Sequence, residues 1–114
     1  NVTPFYAEMG GEVGDTGTIT AARVELQVTD TKAPEKGLVC HVATVASGVL
    51  TVGMAVSAQV DVKRRACIAR NHTCTHILHA ALRQVLGAHV KQAGSYVGPD
   101  RLRFDFTHFE SVTP

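Results

Sequence analysis

In this 114-residue chain the spacing of apolar residues changes from a strand-like repeat to a helical one and then back to a strand-like one. This order strongly limits the folds that the chain can adopt. From about Lys63 to Gly87, apolar residues recur at the three- and four-residue spacing of an amphipathic helix. Asp61 or Asn71 could serve an N-terminal turn, and Gly87 is the expected stop. The predicted apolar stripe consists of Ile68, Leu78, Leu82, Val85 and Leu86. The sequence therefore predicts one long helix with different structure on either side.

The residues before about Val62 alternate as β-strands do. In Ala21–Thr29 the apolar Val24, Leu26 and Val28 share one face and polar residues the other. Two further strands are expected at Leu38–Val45 and Ala58–Lys63, with a turn-rich loop at residues 30–37. Glycines within residues 10–17 supply the positive φ angles that the corners of a small barrel require. We therefore expect a small antiparallel β-barrel in residues 1–63.

The residues after Gly87 are again extended. His89–Val97 and Leu102–Phe109 are predicted strands, and Gly98-Pro99-Asp100 between them is a strong turn signal. In the second strand three apolar residues alternate with polar ones, as in a half-buried strand. The predicted fold is α+β: a β-barrel domain at 1–63, followed at 64–114 by a long helix and a β-hairpin.

Composition sets only loose limits on function. The formal net charge is +1, divided as −1 up to Arg65 and +2 beyond it, which permits an RNA partner without requiring one. The basic cluster Lys63–Arg65 is more often a solvated helix lead-in than a nucleic-acid contact. No apolar run is long enough to span a bilayer, so no membrane partner is expected. Three cysteines form no even framework, which favours reduced thiols and a cytoplasmic location.

The residues best suited to chemistry are His72 and His76. Four apart on a helix, they lie on one face roughly 6 Å apart, so both imidazoles can reach one metal ion. The alternative pair is His76 with His79; all three cannot bind one ion, because about 10 Å of helix rise separates the outer two. A polar helix edge without a ligand also fits this spacing. Cys74 lies on the opposite side of the helix and is expected to be a small buried thiol.

Three ordered stretches then point to a family. Asn71–Arg83 closely resembles the opening helix of the editing domain of alanyl-tRNA synthetases and their free-standing relatives. Thr3–Gly17 resembles the start of the small β-barrel before that domain. Gln92–Val97 and Arg101–Phe109 resemble the strands that follow the helix. The resemblance covers nearly the whole chain.

This resemblance implies a zinc site and a pocket residue. His72 and His76 would supply two zinc ligands, and the remaining ligands would come from a Cys-x-x-x-His pair that this sequence lacks and that would lie beyond Pro114. Gln92 matches the position whose amide lies in the family's editing pocket, where an amide can sense a substrate hydroxyl. Thr73 and Thr75 could line the same pocket, or cap and pack the helix.

The function implied is hydrolysis of mischarged seryl- or glycyl-tRNA(Ala), within an enzyme that joins alanine to tRNA(Ala). The expected partner is the acceptor end of that tRNA, and ATP would be used only in a catalytic domain outside this sequence. Two alternatives stay open: a free-standing trans-editing deacylase, and a non-catalytic RNA-docking barrel.

The ends of the chain also lead to expectations. There is no initiator methionine and the sequence stops at Pro114, so we expect an excised part of a longer protein. Such a chain should be inactive alone, since half of its metal shell is missing. Its uncovered apolar surfaces could make it self-associate.

Overall fold

A computed structural model describes residues 2–113 and confirms the α+β class. Its elements in chain order are β1 (Gly17–Ala21), β2 (Val24–Glu35), β3 (Leu38–Ser47), β4 (Ser57–Val60), α1 (Val62–Leu86), β5 (Lys91–Val97) and β6 (Leu102–Thr107). The chain divides into two compact units. The sheet unit holds residues up to Met9 and residues 13–65, and the helix–hairpin unit holds residues 10–12 and those from 66 onward.

The sheet unit is built on four antiparallel strands in the order β3-β2-β1-β4. The predicted alternation in β2 is confirmed: Val24, Leu26 and Val28 are buried, whereas the residues between them are exposed. Phe5 adds a fourth buried apolar side chain to this unit. Each strand side chain points to the face opposite its neighbour's, so a single face of β2 supplies most of this core.

The predicted barrel is wrong, because the sheet is open. β3 and β4 are its two edges and do not pair with each other. β4 has only 4 residues and pairs with β1 alone. β3 pairs with β2 alone, through a ladder with three register shifts, and most of its residues are exposed. Closure requires the edge strands to meet, and hydrophobic alternation within single strands does not report on that pairing.

Two strand boundaries also differ from expectation. Residues 30–35, predicted as loop, continue β2 to Glu35. Bulges in the β2–β3 ladder admit the turn-type residues in this stretch. Pro34, which has no N–H to donate, lies near the end of β2, beyond the residues that pair with β1. The strand expected at Ala21–Thr29 is divided by a tight turn, in which Arg23 has a positive φ of 62°.

Asp15 organises the polar interior of the sheet unit. It is 2% exposed, and its carboxylate accepts a 2.6 Å hydrogen bond from the backbone N–H of Tyr6 and pairs with the guanidinium of Arg65. Its own carbonyl accepts from the hydroxyl of Thr31, which is fully buried. Burying a carboxylate is costly unless its oxygens are paired, and both oxygens of Asp15 have partners.

Helix α1 begins and ends at the residues the sequence indicates. Asp61 is its N-cap: the carboxylate accepts from the backbone N–H of Arg64 at 3.0 Å. Gly87 ends it with a φ of 120°, a conformation that side chains disfavour. Arg64 also donates to the carbonyl of Gly14 at 2.8 Å. Within residues 2–113, no helix is both long and apolar enough to cross a membrane.

The predicted apolar stripe of α1 is wrong in part. Ile68 is 1% exposed, but Leu78 is 39% exposed and Val85 80% exposed. The face that packs instead carries polar residues, among them the buried Thr75, whose hydroxyl donates to the carbonyl of Asn71 at 2.9 Å. The side chain of Asn71 donates in turn to the carbonyl of Gly98 at 2.8 Å. These internal hydrogen bonds satisfy polar groups at positions where hydrophobic periodicity alone predicts none.

The hairpin after the helix is confirmed. β5 and β6 pair antiparallel, with Val97 opposite Leu102, and the turn between them is closed by a 3.0 Å bond from the N–H of Gly98 to the carbonyl of Arg101. On β6, Arg103 and Asp105 pair at 3.1 Å. A register shift lies between Gln92 and Gly94.

The Asp15–Arg65 pair gives a stability prediction. Arg65→Met should lower the free energy of unfolding by about 2–4 kcal/mol, because it leaves the buried Asp15 carboxylate without its charged partner. The matched control is Lys63→Met, an exposed position, where a change within about 0.5 kcal/mol is expected. Urea unfolding measures both. Equal stabilities of the two variants would contradict the role given to Arg65.

The environment of His41 gives a pH prediction. Its Nε2 lies 2.8 Å from the hydroxyl of Thr3, its ring contacts Phe5, and burial lowers its pKa from the ordinary 6.5. The unfolded chain therefore binds the proton at a higher pH than the folded chain does. The neutral His41 ring therefore contributes fully to the stability of the folded chain above about pH 6.5. This contribution falls as the pH drops toward the pKa of His41 in the folded chain. When the pH is lowered through that window, the free energy of unfolding should fall less in His41→Asn than in the wild type. An equal fall in the two proteins would contradict the prediction.

Candidate metal centre

His72 and His76 lie on successive turns of α1 with their rings facing each other. Their Nε2 atoms are 3.0 Å apart, their ring centroids are 5.0 Å apart, and both residues are exposed. The i, i+4 spacing on an unbroken helix produces this approach. Two ring nitrogens thus converge on one point at the helix surface.

The second ring nitrogen of His72, Nδ1, also has a polar contact. It contacts the carboxylate of Glu12, whose side chain is only 16% exposed. Sequence reasoning missed Glu12: it lies 60 residues from His72, and no local pattern links a glutamate after two glycines to a helix that far along the chain.

The geometry of the pair suits a metal ion. Tetrahedral zinc with Zn–N bonds of roughly 2.0–2.1 Å places two histidine nitrogens about 3.3–3.4 Å apart. The observed 3.0 Å needs only a small rotation of the rings to reach that value. Within residues 2–113, no three histidine, cysteine or acidic side chains are arranged to hold a metal ion. The described residues therefore offer two candidate ligands, and a four-coordinate site would need two more from elsewhere.

His79, the alternative partner of His76, is turned toward the hairpin. Its ring packs against Phe104, with centroids 5.0 Å apart. Its Nε2 is buried, without a hydrogen-bond partner in the described part of the chain. The arrangement favours His72 over His79 as the second ligand beside His76.

The other residues singled out from the sequence lie outside this pair. Gln92 is exposed on β5 opposite Phe106, and its amide makes no hydrogen bond to any residue of 2–113. Its assignment to an editing pocket stays a prediction. Both threonine hydroxyls bond to the helix backbone: Thr73 donates to the carbonyl of Ala69 at 3.1 Å, and the buried Thr75 donates to that of Asn71 at 2.9 Å. Thr75 is thus packed within the helix–hairpin unit, whereas Thr73 is exposed, and a place for either in a pocket stays a prediction.

The expectation of a buried Cys74 is wrong, because this thiol is exposed. It lies about half a turn of α1 from each histidine. Cys40 and Cys67 are half-buried, and all three thiols are free.

A second histidine pair lies after the helix. His89 Nε2 is 2.7 Å from His108 Nδ1, their rings are stacked, and Phe109 packs against both. His89 precedes β5 and His108 follows β6. The hairpin brings them together because they lie just outside the paired ends of β5 and β6.

Comparison with known proteins identifies the family. Residues 1–64 match the family model described as tRNA synthetases class II (A). The chain belongs to this family. It is 58% identical over 112 residues to the alanine–tRNA ligase of Acetivibrio thermocellus and 55% identical over 114 residues to that of Chloroflexus aurantiacus. These alignments cover 98% and 100% of this chain and 13% of each relative.

A third relative agrees. The alanine–tRNA ligase of Stenotrophomonas maltophilia is 55% identical over 113 residues, which is 99% of this chain and 13% of the relative. The chain thus corresponds along its whole length to a small region of alanine–tRNA ligases. The resemblance seen in the sequence is confirmed at that level.

Proposed function

We propose that this chain is the region of an alanine–tRNA ligase that contributes half of a zinc-dependent editing site, which hydrolyses mischarged seryl- and glycyl-tRNA(Ala). The observation that carries the proposal is the convergence of His72 Nε2 and His76 Nε2 at 3.0 Å, in a chain so similar to alanine–tRNA ligases. The similarity supports tRNA(Ala) as the partner, and the histidine geometry supports the binding of a metal ion.

The reaction is the addition of water across an ester. The bond that breaks joins the aminoacyl carbonyl to a ribose oxygen of the terminal adenosine, releasing serine or glycine and the free tRNA end. Zinc, when bound, would supply a Lewis acid that polarises an oxygen or orients the substrate. His72 and His76 would hold it through neutral imidazole nitrogens, two of the four ligands expected.

Gln92 would provide recognition rather than metal binding. Its amide is exposed and uses no hydrogen-bonding capacity on residues 2–113, so both its donor and its acceptor are available to a substrate. The carbonyl can accept from a serine hydroxyl that alanine lacks. A site built to bond a hydroxyl discriminates strongly against the analogue without it.

The need for editing follows from the size of the amino acids. A pocket that accepts alanine cannot exclude the smaller glycine by steric means, and rejects an added hydroxyl only weakly. A second site can remove what the first admits. The parent enzyme would use ATP to join alanine to tRNA(Ala) in a separate catalytic domain, and this region would meet the acceptor end of the tRNA.

The free-standing deacylase is the second candidate, since it would use the same histidines. The match over residues 1–64 and the alignments to full-length ligases favour the ligase. The RNA-docking alternative is weakened because Arg64 and Arg65 are engaged by Gly14 and Asp15 rather than free for phosphate.

Location and self-association belong to the proposal as well. Three free thiols support a reducing, cytoplasmic compartment. Exposed apolar side chains on α1 and after β6, including Val85 and Phe109, support self-association of the isolated chain.

The roles of the site residues can be separated in the full-length ligase carrying this region. Gln92→Ala should lower deacylation of seryl-tRNA(Ala) and leave the zinc content unchanged, whereas His76→Ala should lower both. Metal analysis and an ester-hydrolysis assay measure the two quantities. The 114-residue chain alone should leave the ester decaying at the buffer rate.

Equal loss of zinc in both variants would contradict the separation of roles. Zinc-dependent turnover by the isolated chain would contradict the half-site. Full activity of His76→Ala would contradict the proposed function itself.

A further inference from the structure

Glu12 contacts His72, one of the two histidines of the candidate metal centre. Its carboxylate lies on Nδ1 of His72, the ring nitrogen opposite the one that faces His76. The Glu12 carboxylate and the His76 ring therefore contact different ring nitrogens of His72. The relatives' names and the predicted ligand set assign no role to Glu12.

The backbone holds Glu12 in this place. Glu12 forms a bridge with Val97 on β5, and the N–H of Val97 donates to the carbonyl of Gly11 at 2.8 Å. Gly11 has a φ of 88°, and a Cβ there would lie 2.5 Å from the backbone oxygen of Ser95. Only glycine allows so close an approach, so the segment is fixed against β5 and Glu12 has little freedom.

We propose that Glu12 is a positioning residue that keeps the proton of neutral His72 on Nδ1. An ionised carboxylate only accepts hydrogen bonds, so the nitrogen it contacts must carry the N–H. A neutral imidazole has one N–H, which leaves a lone pair on Nε2, the atom that faces His76. This inference rests on the proposed function for the identity of the metal, but not for the position of the proton.

The histidine pair is consistent with this tautomer. Two nitrogens 3.0 Å apart need a proton between them, and His76 can donate its Nε2–H to the lone pair on His72. For a metal ion to bind both Nε2 atoms, the proton of neutral His76 would have to move from Nε2 to Nδ1 by exchange with water. Carboxylates bonded to ligating histidines fix the ring and raise its basicity, and their loss commonly weakens metal affinity by about 10–100-fold.

A purely structural role is the competing explanation, in which Glu12 tethers residues 10–12 to α1. A tether would affect stability without fixing which ring nitrogen of His72 carries the proton. In water a neutral histidine ring prefers the proton on Nε2, so the two explanations predict opposite tautomers in the wild type: Nδ1–H if Glu12 fixes the proton, and Nε2–H if Glu12 is only a tether.

The first experiment measures the tautomer in the metal-free 114-residue chain. Long-range ¹H–¹⁵N correlation spectra at about pH 8.5, where histidines are generally neutral, distinguish the two forms. We expect the Nδ1–H form at His72 in the wild type and in Glu8→Ala, whose carboxylate pairs with Lys32 instead. Glu12→Ala should shift His72 to the Nε2–H form. Glu12→Gln, which keeps the shape of the side chain, should give a mixture and serves if the alanine variant unfolds.

An Nε2–H form in the wild type, or an unchanged tautomer in both Glu12 variants, would overturn the inference. The second experiment measures zinc affinity of the full-length ligase by chelator competition. Glu12→Ala should weaken it about 10–100-fold and Glu8→Ala should not; equal affinities would also overturn the inference. A wild type that bound no zinc through His72 would instead contradict the proposed function, and the tautomer would still decide the role of Glu12.

Discussion

The candidate site depends on the continuity of α1. One unbroken helix from the Asp61 cap to Gly87 fixes which side chains share a face, and the 3.6-residue repeat then brings His72 and His76 together. A kink or a register change between these two residues would separate their nitrogens. The helix supplies the geometry, and the residues around it supply only orientation and support.

The face of α1 that packs on the hairpin is unusually polar. Asn71, Thr75 and His79 occupy positions where an ordinary amphipathic helix would place aliphatic residues, and the first two satisfy their polar atoms with backbone carbonyls. Ile77, Leu78 and Val85, by contrast, are exposed. In the sheet unit, Asp15 has a comparable role, because a buried carboxylate replaces apolar packing at the centre of a network of N–H and guanidinium donors. Both units thus pack around polar groups that are mostly paired, and Nε2 of His79 is an exception among the described residues.

The features that the sequence predicted are those with local causes. The helix limits follow from one cap and one glycine, the hairpin from Gly98-Pro99-Asp100, and the β2 core face from alternation. The histidine pair is also local, since spacing alone determines it. The resemblance indicates its use as a metal site, and the 3.0 Å approach of the two nitrogens is compatible with that use.

The features that could not be predicted depend on contacts between distant residues. Whether β3 and β4 meet decides between barrel and open sheet, and no strand pattern contains that information. The bulges that carry β2 through Pro34 depend on its partner strand. Glu12 reaches His72 only because Gly11 lets the chain approach β5. The exposure of Cys74 is set by what covers the helix rather than by its spacing from the histidines.

The most direct measurement is a crystal structure of the full-length ligase with anomalous diffraction data collected on both sides of the zinc edge. The account predicts one zinc peak about 2.0–2.1 Å from Nε2 of both His72 and His76, with Glu12 still on Nδ1 of His72. A peak between His76 and His79, or none beside α1, would contradict it.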